Sequence, residues 1–322
     1  MVELVRDPFG APVSMRKAYG QALVELGHAR EDVVVLSADI SNSDHSYMFE
    51  EAFPDRFFNV GIAEQALVDV AVGLANGDWV PIANTFAFLF ATRALEQVRT
   101  HLCYGEANVK LAAAYAGLSD SFDGPTHHAI TDLAIMRSLP RMTVVVPADP
   151  VAINKLLPQV AAWEGPVFFR LCRNEVPVIF TNAYDPEIGK GVLLREGTDV
   201  TIIGCGVMVS RCLEAARRLA ETGLRARVVE MHTIKPLDRE LIAHCAAETG
   251  AIVSVEEHSI IGGLGGAVAE ALVESEPVPL ERVGLVDTFA ESGPYSELMD
   301  KYGLGVGAIV AAVQRVITRK RR

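Results

Sequence analysis

Along nearly its whole length this chain alternates short runs of strand-forming residues with helix-length segments, and that alternation restricts it to parallel sheets covered by helices on both faces. From Ser14, an N-cap residue, Met15, Ala18, Tyr19, Ala22, Leu23 and Leu26 recur at helical spacing and make one apolar stripe. The strand "VVVLSAD" follows. A helix from about Ile62 to Asn76, closed by Gly77, leads to "WVPIA", and one from about Arg93 to Tyr104 leads to "VKLAAAY". A helix after Ile130 leads to "TVVVPAD", and one from about Pro150 leads to "PVFFRL". About six strands are expected here, enough for a complete doubly wound sheet. The stretch "CRNEVPVIFTNAYDPEIGKG", rich in Pro, Asn and Asp, has no clear period and reads as a linker from about residue 173. A second set, "DVTIIGCG", "ARVVEM", "AIVSVEEH" and "VGLVD", alternates with further helices. The expected fold class is α/β, with two doubly wound domains: a larger one over residues 1–185 and a smaller one over 186–322.

Composition excludes several classes of function. The chain has 322 residues, 50% of them hydrophobic and 22% charged, which favours two globular domains. Its apolar runs stop well short of the ~20 residues of a membrane span, and "MVELVRDPFG" has no basic region followed by an apolar core, so no membrane partner and a cytoplasmic location are expected. Cys103, Cys172, Cys205, Cys212 and Cys245 are scattered without a CxxC pair and read as buried, reduced thiols. A net charge of −12 argues against nucleic acid, and the terminal "RKRR" reads as a solvated helix end.

In open α/β sheets ligands sit beyond the carboxyl ends of the strands, so polar residues just after strand runs are the first candidates. "SADISNSD" offers Asp39, Ser41 and Ser43; "NTFAFLFATR" offers aromatic rings and Arg93. "AGLSDSFDGPTHHA" offers Asp123, His127 and His128, and "RLCRNE" offers Arg170 and Arg173. Singly, each is a common turn, cap or core residue. Their concurrence at one sheet edge points to a site. Glu64 adds to it, because "FFNVGIAEQAL" places that single carboxylate among apolar and small side chains.

"GIAEQ", the aromatic segment before "RALEQVR", "DGPTHH" and "VVVPADP", in this order and spacing, resemble the pyrimidine-binding half of transketolases, which are thiamine-diphosphate enzymes. The resemblance continues through "MHTIKPLD" and "EEHSIIGGLGG", similar to the family's small C-terminal domain, and is closest to the C-terminal subunit of transketolases split into two chains. It implies that Glu64 hydrogen-bonds a ring nitrogen of the cofactor's aminopyrimidine and so activates the cofactor, a role served by apolar neighbours that disfavour the charged carboxylate. It implies an aromatic ring stacked on the aminopyrimidine, with Phe90 the first choice and Phe86 and Phe88 completing the wall. Arg93 falls among the cofactor-binding positions, and Asp39 lies near the thiazolium ring. His127 and Asp123 would contact substrate oxygens, His127 also moving a proton. Arg16, Ser43 and Arg173 match positions that hold sugar phosphate. His128 stands where glutamine is usual and is left structural.

The family holds the diphosphate through a divalent metal, Mg2+ or Ca2+, at a "GDG" segment that this chain lacks; "GGLGG" reads as a tight turn. No metal ligand is therefore expected in this chain, and a partner subunit carrying the diphosphate-binding domain is implied, with an α2β2 heterotetramer as the expected assembly. The small residues Ala66, Ala71, Gly73 and Ala75 would permit close packing across such an interface. Three departures bear on the substrate: Tyr115 where a histidine is common, Phe122 in place of an acidic residue, and "LSDS" in place of a glycine-richer loop. The implied activity is transfer of a two-carbon ketol unit from a ketose or ketose phosphate to an aldose or aldose phosphate, as in pentose phosphate metabolism. Alternatives are a decarboxylating relative, similar to deoxyxylulose-phosphate synthase or a 2-oxoacid dehydrogenase β subunit, and a non-catalytic regulatory subunit.

Overall fold

The computed structural model describes residues 3–5 and 10–320. Parts of the N-terminal decapeptide and the last two arginines of "RKRR" lie outside the described residues. Ser14 caps the first helix, α1 (Met15–Ala29): its hydroxyl accepts the Lys17 main-chain N–H at 3.3 Å, and the stripe from Met15 to Leu26 is buried. The first half contributes β1 (Val33–Ser37), β2 (Phe57–Asn59), β3 (Val80–Phe86), β4 (Lys110–Ala114), β5 (Thr143–Val145) and β6 (Val167–Arg170). Neighbours among them pair in parallel. β1, β4, β5 and β6 are buried at every position, which is why their sequences are continuous rather than alternating in character.

The second half supplies β7 (Val192–Arg195), β8 (Val200–Gly204), β9 (Ala226–Glu230), β10 (Thr233–Lys235), β11 (Ile252–Ser259) and β12 (Leu280–Leu285). Five of these form a sheet in the order β12-β11-β8-β9-β7, parallel except at β7. β10 leaves them and pairs antiparallel with β5, which completes a 7-stranded sheet in the order β10-β5-β6-β4-β3-β1-β2. The sequence reading expected about six strands there; β2 is too short to show a period, and β10 arrives from the other half of the chain. All five cysteines are buried and free of disulfides, and among the described residues no helix is long and apolar enough to cross a membrane.

Two expectations need correction. The stretch read as a linker is packed: Glu175–Val176 pairs antiparallel with Val13–Ser14, and the buried rings of Phe180 and Tyr184 stack at 3.8 Å. Asp149 explains why, since one carboxylate oxygen caps the Pro150–Ala162 helix through the Ala152 N–H while the other accepts the Ile179 and Phe180 N–H groups. Proline and asparagine there break the period without preventing burial. The helix expected from Arg93 begins only at Leu95 and is π-helical from Val98 to Tyr104, so Arg93 lies in a break after the short Ala87–Ala91 helix.

Arg170, counted among the site candidates, is turned into the seam between the two sheets. Its Nε and Nη2 donate to both oxygens of Asp132, at 2.6 and 3.1 Å, and Nη2 also donates to the carbonyls of Ala129 and Glu257. Both side chains are buried, so each charge depends on the other. Asp132→Ala is therefore expected to cost about 3–5 kcal/mol, read as a lower urea midpoint of unfolding. An unchanged midpoint would show that the pair does not support the seam.

Candidate active site

In the 7-stranded sheet the connection from β1 runs outward to β2, while β3 lies on the other side of β1. The chain reverses direction across the sheet there, and such a switch point leaves a crevice beyond the strand ends. A cavity of about 460 Å³ occupies it. The loop after β1 gives Asp39 and Ser43, and the segment after β2 gives Ile62 and Glu64. The segment leaving β3 gives Phe86, Phe88 and Arg93, and the long loop after β4 gives Thr126 and His127.

Glu64 is the first residue of the Glu64–Ala75 helix, where the helix dipole favours a negative side chain. Its side chain is only 2% exposed, and Arg93 Nη1 stands 3.0 Å from both carboxylate oxygens. The surroundings are thus not wholly apolar, contrary to the expectation from sequence that apolar neighbours would disfavour the charged carboxylate. The break before Leu95 lets Arg93 reach back, and Arg93 itself is 53% exposed. Asp39 takes a left-handed backbone conformation (φ 62°), and its carboxylate accepts from Asn59 Nδ2 at 2.9 Å. Asn59 Oδ1 in turn accepts the Gly61 N–H. The sequence reading missed Asn59; its position at the end of β2, two residues before a glycine, was the available signal.

The aromatic wall consists of Phe86 and Phe88, nearly parallel with ring centroids 6.3 Å apart, and His127 stands 5.2 Å from the Phe88 ring. Phe90 is not part of it: it is fully buried in the core beneath, so no ligand can stack on its ring in this arrangement. The short helix from Ala87 to Ala91 puts successive residues on different faces, and Phe90 falls on the inner one. His127 Nδ1 lies 3.0 Å from Thr126 Oγ1, within a turn closed by the His127 N–H to the Gly124 carbonyl. Asp123 precedes that turn, is exposed, and does not line the cavity. His128 is buried with neither ring nitrogen bonded, and burial lowers its proton affinity.

The far-end residues do gather, around Tyr115. Arg16 Nη1 donates to the Ser43 carbonyl at 2.9 Å, and the Tyr115 hydroxyl donates to the same carbonyl at 3.1 Å. The Arg173 and Arg16 guanidinium groups lie 4.9 and 6.0 Å from the Tyr115 ring centroid, and Phe86 stacks on the same ring at 4.8 Å. Arg173 also contacts Asp120, a residue that the sequence reading did not single out.

Elsewhere, the glycine-rich turn before the Leu264–Glu274 helix is filled by the chain itself, because the Glu256 carboxylate accepts the Leu264 and Gly265 N–H groups. Among the described residues no group of three or more His, Cys, Asp or Glu side chains is placed to hold a metal ion. On the Glu64 helix, Ala66 and Gly73 are exposed alongside Ile62 and Val70, but Ala71 is buried. Five residues from Ala66 is about 140° around a helix, which turns Ala71 to the core.

Residues 11–178 match the family described as "Transketolase, pyrimidine binding domain", and residues 189–309 match "Transketolase, C-terminal domain". A 6-deoxy-6-sulfo-D-fructose transketolase subunit of Clostridium sp. (strain MSTE9) is 39% identical over 306 residues, covering 95% of each chain. Transketolase of Homo sapiens is 40% identical over 314 residues, which cover 96% of this chain and 50% of the human protein. Among solved structures, one described as "Split gene transketolase, inactive beta4 tetramer" superposes with a TM-score of 0.91 at 50% identity, covering 96% of this chain and 100% of the other.

The placement of the two rings is testable without any ligand. Phe90→Ala should destabilise the fold by about 3–5 kcal/mol, as for a buried aromatic. Phe88→Ala, at the cavity wall, should cost about 1 kcal/mol or less. Equal losses in thermal unfolding would contradict this arrangement.

Proposed function

This chain belongs to the transketolase family as a C-terminal subunit, and on that premise we propose that it transfers a two-carbon ketol unit from a ketose to an aldose in a complex with an N-terminal subunit. The observation that carries this reading is the nearly buried Glu64 carboxylate in a cleft walled by Phe86 and Phe88 and rimmed by His127. An apolar slot with one carboxylate suits a flat nitrogen heterocycle such as an aminopyrimidine, so these residues fit that half of thiamine diphosphate. The family uses this cofactor with a divalent metal, and the partner subunit is proposed to hold the metal and the diphosphate. When bound, the cofactor supplies the carbon nucleophile that carries the ketol unit.

Glu64 is assigned the proton at the heterocycle's ring nitrogen, with Arg93 holding the carboxylate in place. Asp39, fixed by Asn59, supplies a negative charge beside the cationic ring. His127 donates to a substrate oxygen that gains charge and moves a proton during carbon–carbon cleavage. Asp123 requires a loop shift to take the donor hydroxyl, since it stands outside the cavity. Ser43 lines the cleft, Arg16 and Arg173 stand beside it around Tyr115, and the three are proposed to hold the anionic end of a sugar phosphate. The 50%-identical neighbour, described as an inactive tetramer of β chains, supports the need for a second kind of subunit.

The isolated chain should be inactive, and addition of an N-terminal subunit, thiamine diphosphate and magnesium should produce ketol transfer. Activity of this chain alone would overturn the two-subunit reading. In the complex, Glu64→Gln should nearly abolish turnover with an unchanged unfolding midpoint, and near-normal turnover would remove Glu64 from the mechanism. Arg16→Ala should raise KM for phosphorylated sugars about tenfold or more, from the ~1.5–3 kcal/mol of a hydrogen bond to a charged group. An equal change for unphosphorylated sugars would exclude Arg16 from an anion site.

A further inference from the structure

The two arginines beside Tyr115 are not equivalent. Arg16 spends its bonds on neutral partners, the Ser43 carbonyl and the Tyr115 hydroxyl. Arg173 instead makes a direct ion pair, with Nη1 2.9 Å from Asp120 Oδ1. Asp120 is completely buried, whereas 31% of the Arg173 side chain remains accessible. The pair is also held from other sides: the Arg173 main-chain N–H donates to Ser119 Oγ at 3.2 Å, and its guanidinium rests on the Tyr115 ring. Tyr115 is fixed in turn by Phe86 and the Ser43 carbonyl, and it takes a left-handed backbone conformation (φ 60°). The other oxygen of Asp120 is buried and accepts no hydrogen bond among the described residues. Asp123 adds a second carboxyl beside it, and burial together with this neighbour pushes Asp120 up to about 7.

We propose that Asp120 is a positioning residue that sets which sugars this chain accepts. By taking up part of the Arg173 charge, it weakens the preference for a dianionic far end and admits sugars whose far end is neutral or singly charged alongside sugar phosphates. The inference rests on the reading of Arg16, Ser43 and Arg173 as the far-end site. Once ionised, above about pH 7, the Asp120 carboxylate in contact with the guanidinium and shielded from water offsets much of the field that an incoming anion meets. Its repulsion acts twice as strongly on a dianion as on a monoanion and not at all on a neutral hydroxymethyl end. The sequence departures converge on the same place, since Tyr115 and the "LSDS" segment supply the ring under Arg173 and the carboxylate beside it.

The test compares ribose 5-phosphate with ribose as acceptors for the reconstituted two-subunit complex. Asp120→Asn keeps the shape and removes the charge; it should raise the ratio of kcat/KM for the phosphorylated over the unphosphorylated sugar roughly tenfold, mainly through KM. Asp120→Val should act in the same direction. Adding Arg173→Gln to Asp120→Asn should abolish the gain, because the effect passes through that guanidinium. A ratio that stays level or falls in both single variants overturns the proposal, as does a gain that survives loss of Arg173. Failure of both variants to assemble with the partner also overturns it, by showing that Asp120 serves the fold alone. Calorimetric binding of the two sugars to the complex reads the same ratio without turnover. A parent complex that binds them but transfers no ketol unit thus defeats the activity reading while still deciding this one.

Discussion

The arrangement depends on one buried charge pair. Arg170 ends a fully buried strand, and with its solvent removed the guanidinium is tolerable only because Asp132 and two main-chain carbonyls surround it. Those partners come from the loop after β4, the helix that follows it, and β11 of the second sheet. The same seam holds Glu257, whose carboxylate accepts the Leu118 N–H at 2.7 Å and is pushed by burial up to about 7. Gly117 makes that approach possible: it has φ 62°, and a Cβ there would lie 2.3 Å from the Glu257 side chain. The loop that carries Asp120, Asp123 and His127 is therefore anchored at its start and its end by the second domain. The geometry of a site built on the first sheet is thus set in part by residues that never touch it.

Within the cleft, charge is paired before any ligand arrives. Glu64 has Arg93, Arg173 has Asp120, and Asp39 has the Asn59 amide. Such prior pairing holds side chains in one orientation and lowers the reorganisation needed when charge develops nearby. It also divides the site into parts of different exposure. Asp120 and Glu64 are buried in the protein interior, while their arginine partners reach them from partly accessible positions.

Much of this was legible in the sequence because parallel sheets leave a plain signature. Continuous apolar strands, the Ser14 cap and the polar residues after β1, β3 and β4 follow from burial on both faces and from the position of the switch point. The identity of the stacking ring was not legible, since Phe86, Phe88 and Phe90 share a segment that changes from strand to a single helical turn within a few residues. Arg170 and Arg173 sit three positions apart at the same strand end, yet one is sealed in the seam and the other stays partly accessible beside Tyr115, a difference set by which carboxylate each meets. The segment from 172 to 191 misled for the opposite reason: turn-forming residues signal irregular backbone, and here irregular backbone is buried because Asp149 satisfies its N–H groups.

β10 gives the two halves a dependence that their separate sheets would not suggest. Without Thr233–Lys235, β5 would become an open edge with unpaired main-chain groups and buried, mostly apolar side chains, the kind of surface that invites pairing with another chain. By lending one strand, the smaller domain closes that edge, so cutting the chain between its two sheets would not release two sound modules. It would leave the larger one sticky, and gene fusions or truncations that preserve solubility must carry both parts together.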